Sequence, residues 1–209
     1  MIKIIKHLFP LFVVQFFTLL ALFSLWIYAT PVITRYVFNT TDAESAAFES
    51  GTTWVGICFA LYSTLAAILA FVIPTLNKYI SKYKLHAIAL LIGSLGLLLI
   101  YCIKNQYLLL FAFVFIGIGW SSISTIPYSI ISDIAPESTM STYFAVFNFS
   151  IVIPQITAAF LLGYLTRHYF KGETIYTILS GAIAMFIAAC CMFSIKEKPL
   201  KKSVAPQYI

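Results

Sequence analysis

Three side-chain amides, two indoles and two phenols are the groups in this sequence best suited to hold a polar solute. Gln15, Asn148 and Gln155 each combine hydrogen-bond donors with an acceptor on one planar group, which suits a hydroxyl-rich molecule. Trp26 and Trp120 can stack on the flat face of a ring, and Tyr62 and Tyr128 add a hydroxyl to an aromatic face. Each has a plainer alternative: amides also bridge helices inside membranes, and aromatic residues pack or form interfacial belts. None of the seven titrates near neutrality, so the chemistry they offer is binding.

Groups for bond-breaking chemistry are missing from the pattern. The sequence has no G-x-S-x-G, no H-E-x-x-H and no pair of carboxylates within an apolar run, so an enzyme is not expected. Asp133 falls at a segment end, and Asp42, Glu44 and Glu49 fall in a polar connection, which leaves no acid at mid-membrane. His86 reads as an interfacial residue and His168 as a solvated one. Cys58, Cys102, Cys190 and Cys191 lie in apolar runs without C-x-x-C spacing, and read as small apolar packers. No cofactor or metal is implied.

The elements that must position these groups follow from composition. Of 209 residues, 61% are apolar and 10% charged, whereas soluble domains run near 25% charged. Lipid is therefore the solvent for most of the chain. The net charge of +6 does not point to nucleic acid, because the lysines and arginines are scattered at segment ends and form no patch. Six segments are long enough to cross a bilayer core: 8–30, 53–76, 85–103, 107–132, 140–165 and 174–195. Their apolar residues run continuously and do not alternate, so the expected fold is all-α, a six-helix membrane bundle over residues 1–195 with a polar tail at 196–209. The first run is too long for the apolar core of a signal peptide and lacks a cleavage site.

Orientation is read from the basic residues. With the N-terminus inside, the inner segments carry Lys3, Lys6, Lys78, Lys82, Lys84, Lys196, Lys198, Lys201 and Lys202. The outer ones carry Arg35, Lys104, Arg167 and Lys171. This bias predicts both termini in the cytoplasm and the connection 32–52 outside. Segments 85–103 and 174–195 are nearly pure aliphatic and are expected to face lipid. Segments 8–30, 107–132 and 140–165 hold the amides, hydroxyls and indoles, and are expected to face protein or an aqueous cavity. Leu22 and Trp26 each fall within about 20° of Gln15 on one face of a helix, and Asn148 and Gln155, seven apart, share another. Pro31, Pro127, Pro154, Gly117 and Gly119 allow bends and close approach in these helices.

Two stretches carry a family likeness. One runs from Gly117-Ile-Gly-Trp-Ser-Ser to Ser-Asp133, followed by Pro136-Glu137. The other is Phe144-Ala-Val-Phe-Asn-Phe-Ser-Ile-Val-Ile-Pro-Gln155. With Trp26-Ile-Tyr-Ala-Thr-Pro31 and Gly51-Thr-Thr-Trp-Val-Gly56, they resemble the C-terminal half of the sucrose-transporter-like branch of the major facilitator superfamily. That branch includes plant sucrose/proton symporters and animal solute carrier family 45. The resemblance implies a cell-membrane carrier of a disaccharide or glucoside such as sucrose or maltose, coupled to protons. It also implies a cavity shared with an N-terminal six-helix half. It departs from the superfamily's loop signature at Leu76–Lys84, where the acid position is not Asp. The alternative is a non-transporting membrane protein or adaptor derived from such a carrier.

Overall fold

The computed structural model describes residues 2–195, so the tail at 196–209 lies outside the described residues. Six long helices make up nearly all of it: α1 (Ile2–Tyr36), α2 (Ala46–Leu76), α3 (Lys82–Cys102), α4 (Gln106–Ile134), α5 (Met140–Tyr164) and α6 (Thr174–Ser194). A single 3₁₀ turn at Glu137–Thr139 leads into α5, and a π turn at Leu165–Tyr169 extends it. All six are long and apolar enough to cross a membrane, and no strand occurs among the described residues. The chain is an all-α, multi-pass membrane protein.

Side chains set the helix starts. The Ser45 hydroxyl accepts from the Phe48 amide to cap α2, Ser81 caps α3 through the Lys84 amide, and the Asn105 carbonyl oxygen takes the Tyr107 and Leu108 amides of α4. The first connection is shorter than the apolar pattern suggests. Helix α1 continues past Pro31 to Tyr36, and α2 begins at Ala46. Packing explains the extra turns: Val32, Ile33 and Thr34 are buried, and Thr34 lies so close to Gly51 that a β-carbon there would meet its methyl at 2.9 Å.

The packing order repeats within the chain. Helix α1 packs along α6 as α4 packs along α3, α5 lies on α1 as α2 lies on α4, and α3 and α6 meet each other. Exchanging the first three helices for the last three reproduces the pattern. Because α1 and α4 cross in opposite senses, the two triplets form an inverted repeat. Helices α3 and α6 form the back of the bundle, and α2 and α5 flank α1 and α4. The main core draws on α1, α2, α3, α4 and α6, around Leu22, Phe113 and Met185. A second cluster joins the start of α1 to the end of α4 and to α5 through Leu8, Ile131 and Phe147.

Two expectations change here. Helices α3 and α6 are not wholly turned to lipid. Each shows one outward stripe, with Leu95 and Leu98 on α3 and Ile183 and Phe186 on α6, and buries the rest. The helices with most surface uncovered are α2 and α5. His86 is not interfacial either: it is fully buried between α3 and α4, with Nδ1 2.9 Å from the Ser122 hydroxyl. The same hydroxyl lies 3.1 Å from the Gly119 carbonyl, and no partner reaches the buried imidazole Nε2 among the described residues.

Candidate functional site

Three of the seven binding candidates come together. The Trp26 indole nitrogen on α1 donates to the Tyr62 hydroxyl on α2 at 3.3 Å. The Trp26 ring meets Trp120 of α4 edge to face, with centroids 5.6 Å apart and planes at 89°. Phe23 sets its edge on Trp26 at 5.0 Å, and Phe59 and Phe113 close around Tyr62. Tyr62 is buried, while Trp26 and Trp120 are half-buried. The result is an aromatic wall built from three helices, in which the buried Tyr62 hydroxyl holds the Trp26 indole and the rings of Trp26 and Trp120 remain partly open.

Close backbone contact fixes this wall. A β-carbon at Gly117 would lie 2.9 Å from the Tyr62 carbonyl oxygen, so only glycine lets α2 seat its tyrosine this near α4. Below the wall, Ser121, Ser122, Ser124 and Thr125 return their hydroxyls to carbonyls of their own helix. That back-bonding gives each hydroxyl a partner within its own helix, and Ser122 also meets His86 of α3.

The remaining candidates stand elsewhere. Gln15 shares a face with Trp26 but lies three helical turns away, about 16 Å along the axis. It is buried, and its side-chain oxygen has no donor. Tyr128 stacks on Phe144 at 6.1 Å and meets Phe147 edge to face at 5.4 Å. Asn148 is exposed and Gln155 half-buried on α5, and neither has a hydrogen-bond partner among the described residues. The seven residues thus form an aromatic wall, a buried orphan acceptor, an aromatic stack at the other end of α4, and an open polar edge.

The ion pairs sit at the two ends and were not foreseen as pairs. Lys82 at the start of α3 meets Asp133 at the end of α4, with Nζ 2.5 Å from the carboxylate. At the opposite end, Glu173 binds Arg35 at 2.7 Å and accepts from the Tyr36 hydroxyl. The Tyr36 hydrogen bond, then Arg35, hold the Glu173 carboxyl below the usual range. Trp54 donates to the Gln106 carbonyl at 3.0 Å and so ties α2 to the start of α4. Only the separate lysine and acid were visible in the sequence; their pairing depends on α3 running antiparallel to α4. No group of histidine, cysteine and acid residues suited to a metal occurs among the described residues.

Comparison with known proteins agrees with this architecture. The family model of the Major Facilitator Superfamily matches residues 2–159, well over half of the chain and α1 through most of α5. No curated protein sequence matches significantly.

Proposed function

The chain belongs to the major facilitator superfamily, a family of membrane transporters and not of enzymes, and from that premise we propose that it forms the C-terminal wall of a sugar carrier's cavity. The observation that carries this reading is the Trp26–Tyr62–Trp120 cluster, in which three helices present aromatic faces and hydrogen-bonding edges together. Aromatic faces with a few polar groups suit the apolar faces and hydroxyls of a disaccharide such as sucrose or maltose. Gln15 adds a buried acceptor that still lacks a donor, and an unmet acceptor in a dry site is costly until a hydroxyl or water supplies the bond. Tyr128, Asn148 and Gln155 would then meet the solute at other stages of its passage.

A second six-helix bundle is needed to complete the cavity. The bundle leaves α2 and α5 largely uncovered, and along α2 one open stripe is small, Gly56, Ala60, Ser63 and Ala67, beside the larger exposed Ile57, Ile68 and Phe71. Small residues at this spacing let another helix approach closely. Both ion pairs lie within this bundle, one at each end, so they stiffen it as one body that can rock against a partner. We place the membrane at the cell surface with both termini in the cytoplasm, on the lysine bias.

Proton coupling would draw its titratable group from that partner. Within the bundle Asp133 and Glu173 are already paired at the ends, and His86 is sealed behind the wall. The test uses proteoliposomes with an inward proton gradient and labelled sucrose or maltose. The chain alone should show no uphill uptake, and a matching N-terminal half should restore it. Protonophore-sensitive accumulation by the chain alone would refute the division of roles. Full uptake by Trp26→Ala and Trp120→Ala variants of the paired carrier would refute the sugar wall.

A further inference from the structure

A second cavity, of about 720 Å³, opens at the end of the bundle that carries the N-terminus and shares no residue with the aromatic wall. Its sides are the first turns of α1 and the last turns of α4 and α6, with Phe9, Ile130, Ile134 and Cys191 among the lining groups. The lining is mostly carbon; Lys6 from α1, Tyr83 from α3 and Ser194 from α6 bring polar groups to it. The volume falls within the roughly 300–1,000 Å³ of small-molecule sites. An apolar space of this size between membrane helices suits hydrocarbon and offers a sugar almost nothing to bond.

Charge at the same end selects the head group. Lys82 is neutralised by Asp133, but the exposed Lys6 and Lys84 have no acid partner among the described residues. Basic groups beside a cleft between transmembrane helices attract anionic lipid heads.

We propose that this cavity holds one acyl chain of an anionic phospholipid, with the lipid phosphate at Lys6. The site rests on the membrane-spanning fold and not on the sugar reading, so the two stand or fall separately. The lipid would wedge between the ends of α1, α4 and α6 and hold their spacing.

Native mass spectrometry of the full chain in mild detergent tests this with three probes: dioleoyl phosphatidylglycerol, dioleoyl phosphatidylcholine and inorganic phosphate. One phosphatidylglycerol should be retained at about fivefold lower concentration than phosphatidylcholine, whose choline cancels the phosphate charge, as the attraction of one lysine for a net negative headgroup implies. Lys6→Gln, an exposed change that leaves the core intact, should erase that difference. Cys191→Phe should fill the cavity and lower retention of both lipids, while Cys102→Phe, exposed at the far end of α3, should not. Equal retention of the two lipids by the wild type, or an unchanged preference in Lys6→Gln, would overturn the head-group assignment. Unchanged retention in Cys191→Phe would overturn the acyl-chain position, and displacement of the lipid by inorganic phosphate would reassign the site to a free anion.

Discussion

Replacing Gly117 by alanine should loosen the aromatic wall, although alanine is the better helix former. The added β-carbon would stand 2.9 Å from the Tyr62 carbonyl oxygen and 3.3 Å from the Tyr62 α-carbon. Ordinary contact begins near 3.4 Å, so α2 must retreat by about 0.5 Å at this point. The Trp26–Tyr62 hydrogen bond is already long at 3.3 Å, and a retreat of that size takes it beyond useful range. Overpacking costs about 1–3 kcal/mol, and a lost interhelical hydrogen bond in a membrane costs about 0.6 kcal/mol. Alanine's helix propensity returns about 1 kcal/mol, which leaves a net loss of about 0.6–2.6 kcal/mol. Gly56→Ala is the matched control, because nothing lies within 4 Å of its β-carbon position; it should gain up to about 1 kcal/mol. Unfolding in mixed micelles, followed by tryptophan emission, reads both changes, since two of the three tryptophans belong to the wall. A Gly117→Ala protein as stable as Gly56→Ala, with unaltered emission, would refute the argument.

Three further outcomes are expected. A cysteine placed at Asp42 should react with an impermeant reagent from outside intact cells, and one at Lys202 should not; the reverse pattern overturns the orientation. In a paired carrier, Asn148→Leu and Gln155→Leu should each weaken sugar uptake several-fold without unfolding the bundle, and normal uptake by both would make the polar edge of α5 a packing feature only. The Glu173 latch should hold at neutral pH. Its carboxyl ionises more readily when folded, so its contribution is complete above the ordinary carboxyl value near 4.3 and fades as pH falls through the depressed one. A spin label at Asn39 should therefore gain mobility only in strong acid, whereas Glu173→Gln should be mobile at pH 7; identical spectra for the two at pH 7 would remove the latch.

Much of the fold was legible because lipid imposes a simple rule, that each span satisfies its own backbone in a run of apolar residues. The polar patterning of α1 and α4 likewise pointed to Trp26 and Trp120, which do meet. Their third member, Tyr62, was named for its hydroxyl, but its bond to Trp26 depends on how α2 leans on α4 at Gly117, and no local spacing encodes that angle. Helical periodicity correctly put Gln15 and Trp26 on one face, yet a shared face is not a shared site when three turns intervene. His86 was misjudged because nearness to a segment end looked like nearness to water. The burial comes from α4 crossing over that turn with Ser122, 36 residues on. Pairings such as Lys82–Asp133 and Arg35–Glu173 join residues far apart in sequence, and composition at each end gives the charges without their geometry.

The inverted repeat carries a consequence for how the molecule is made. Of the six helices, α1 is made before the others and packs along α6, which follows them all; α3 also waits for α6, through the Ser94 bond to the Ala182 carbonyl at 2.9 Å. Until α6 arrives, Ser24 and Ala21 on α1 have no Gly181 to close against, and the back of the bundle stays unsealed. Insertion and packing are therefore separate events in the life of this chain: the spans enter the bilayer in order, but this bundle closes only once α6 has followed the other five. A substitution at Gly181 should spare insertion and instead trap a fully inserted, unclosed protein that membrane quality control removes.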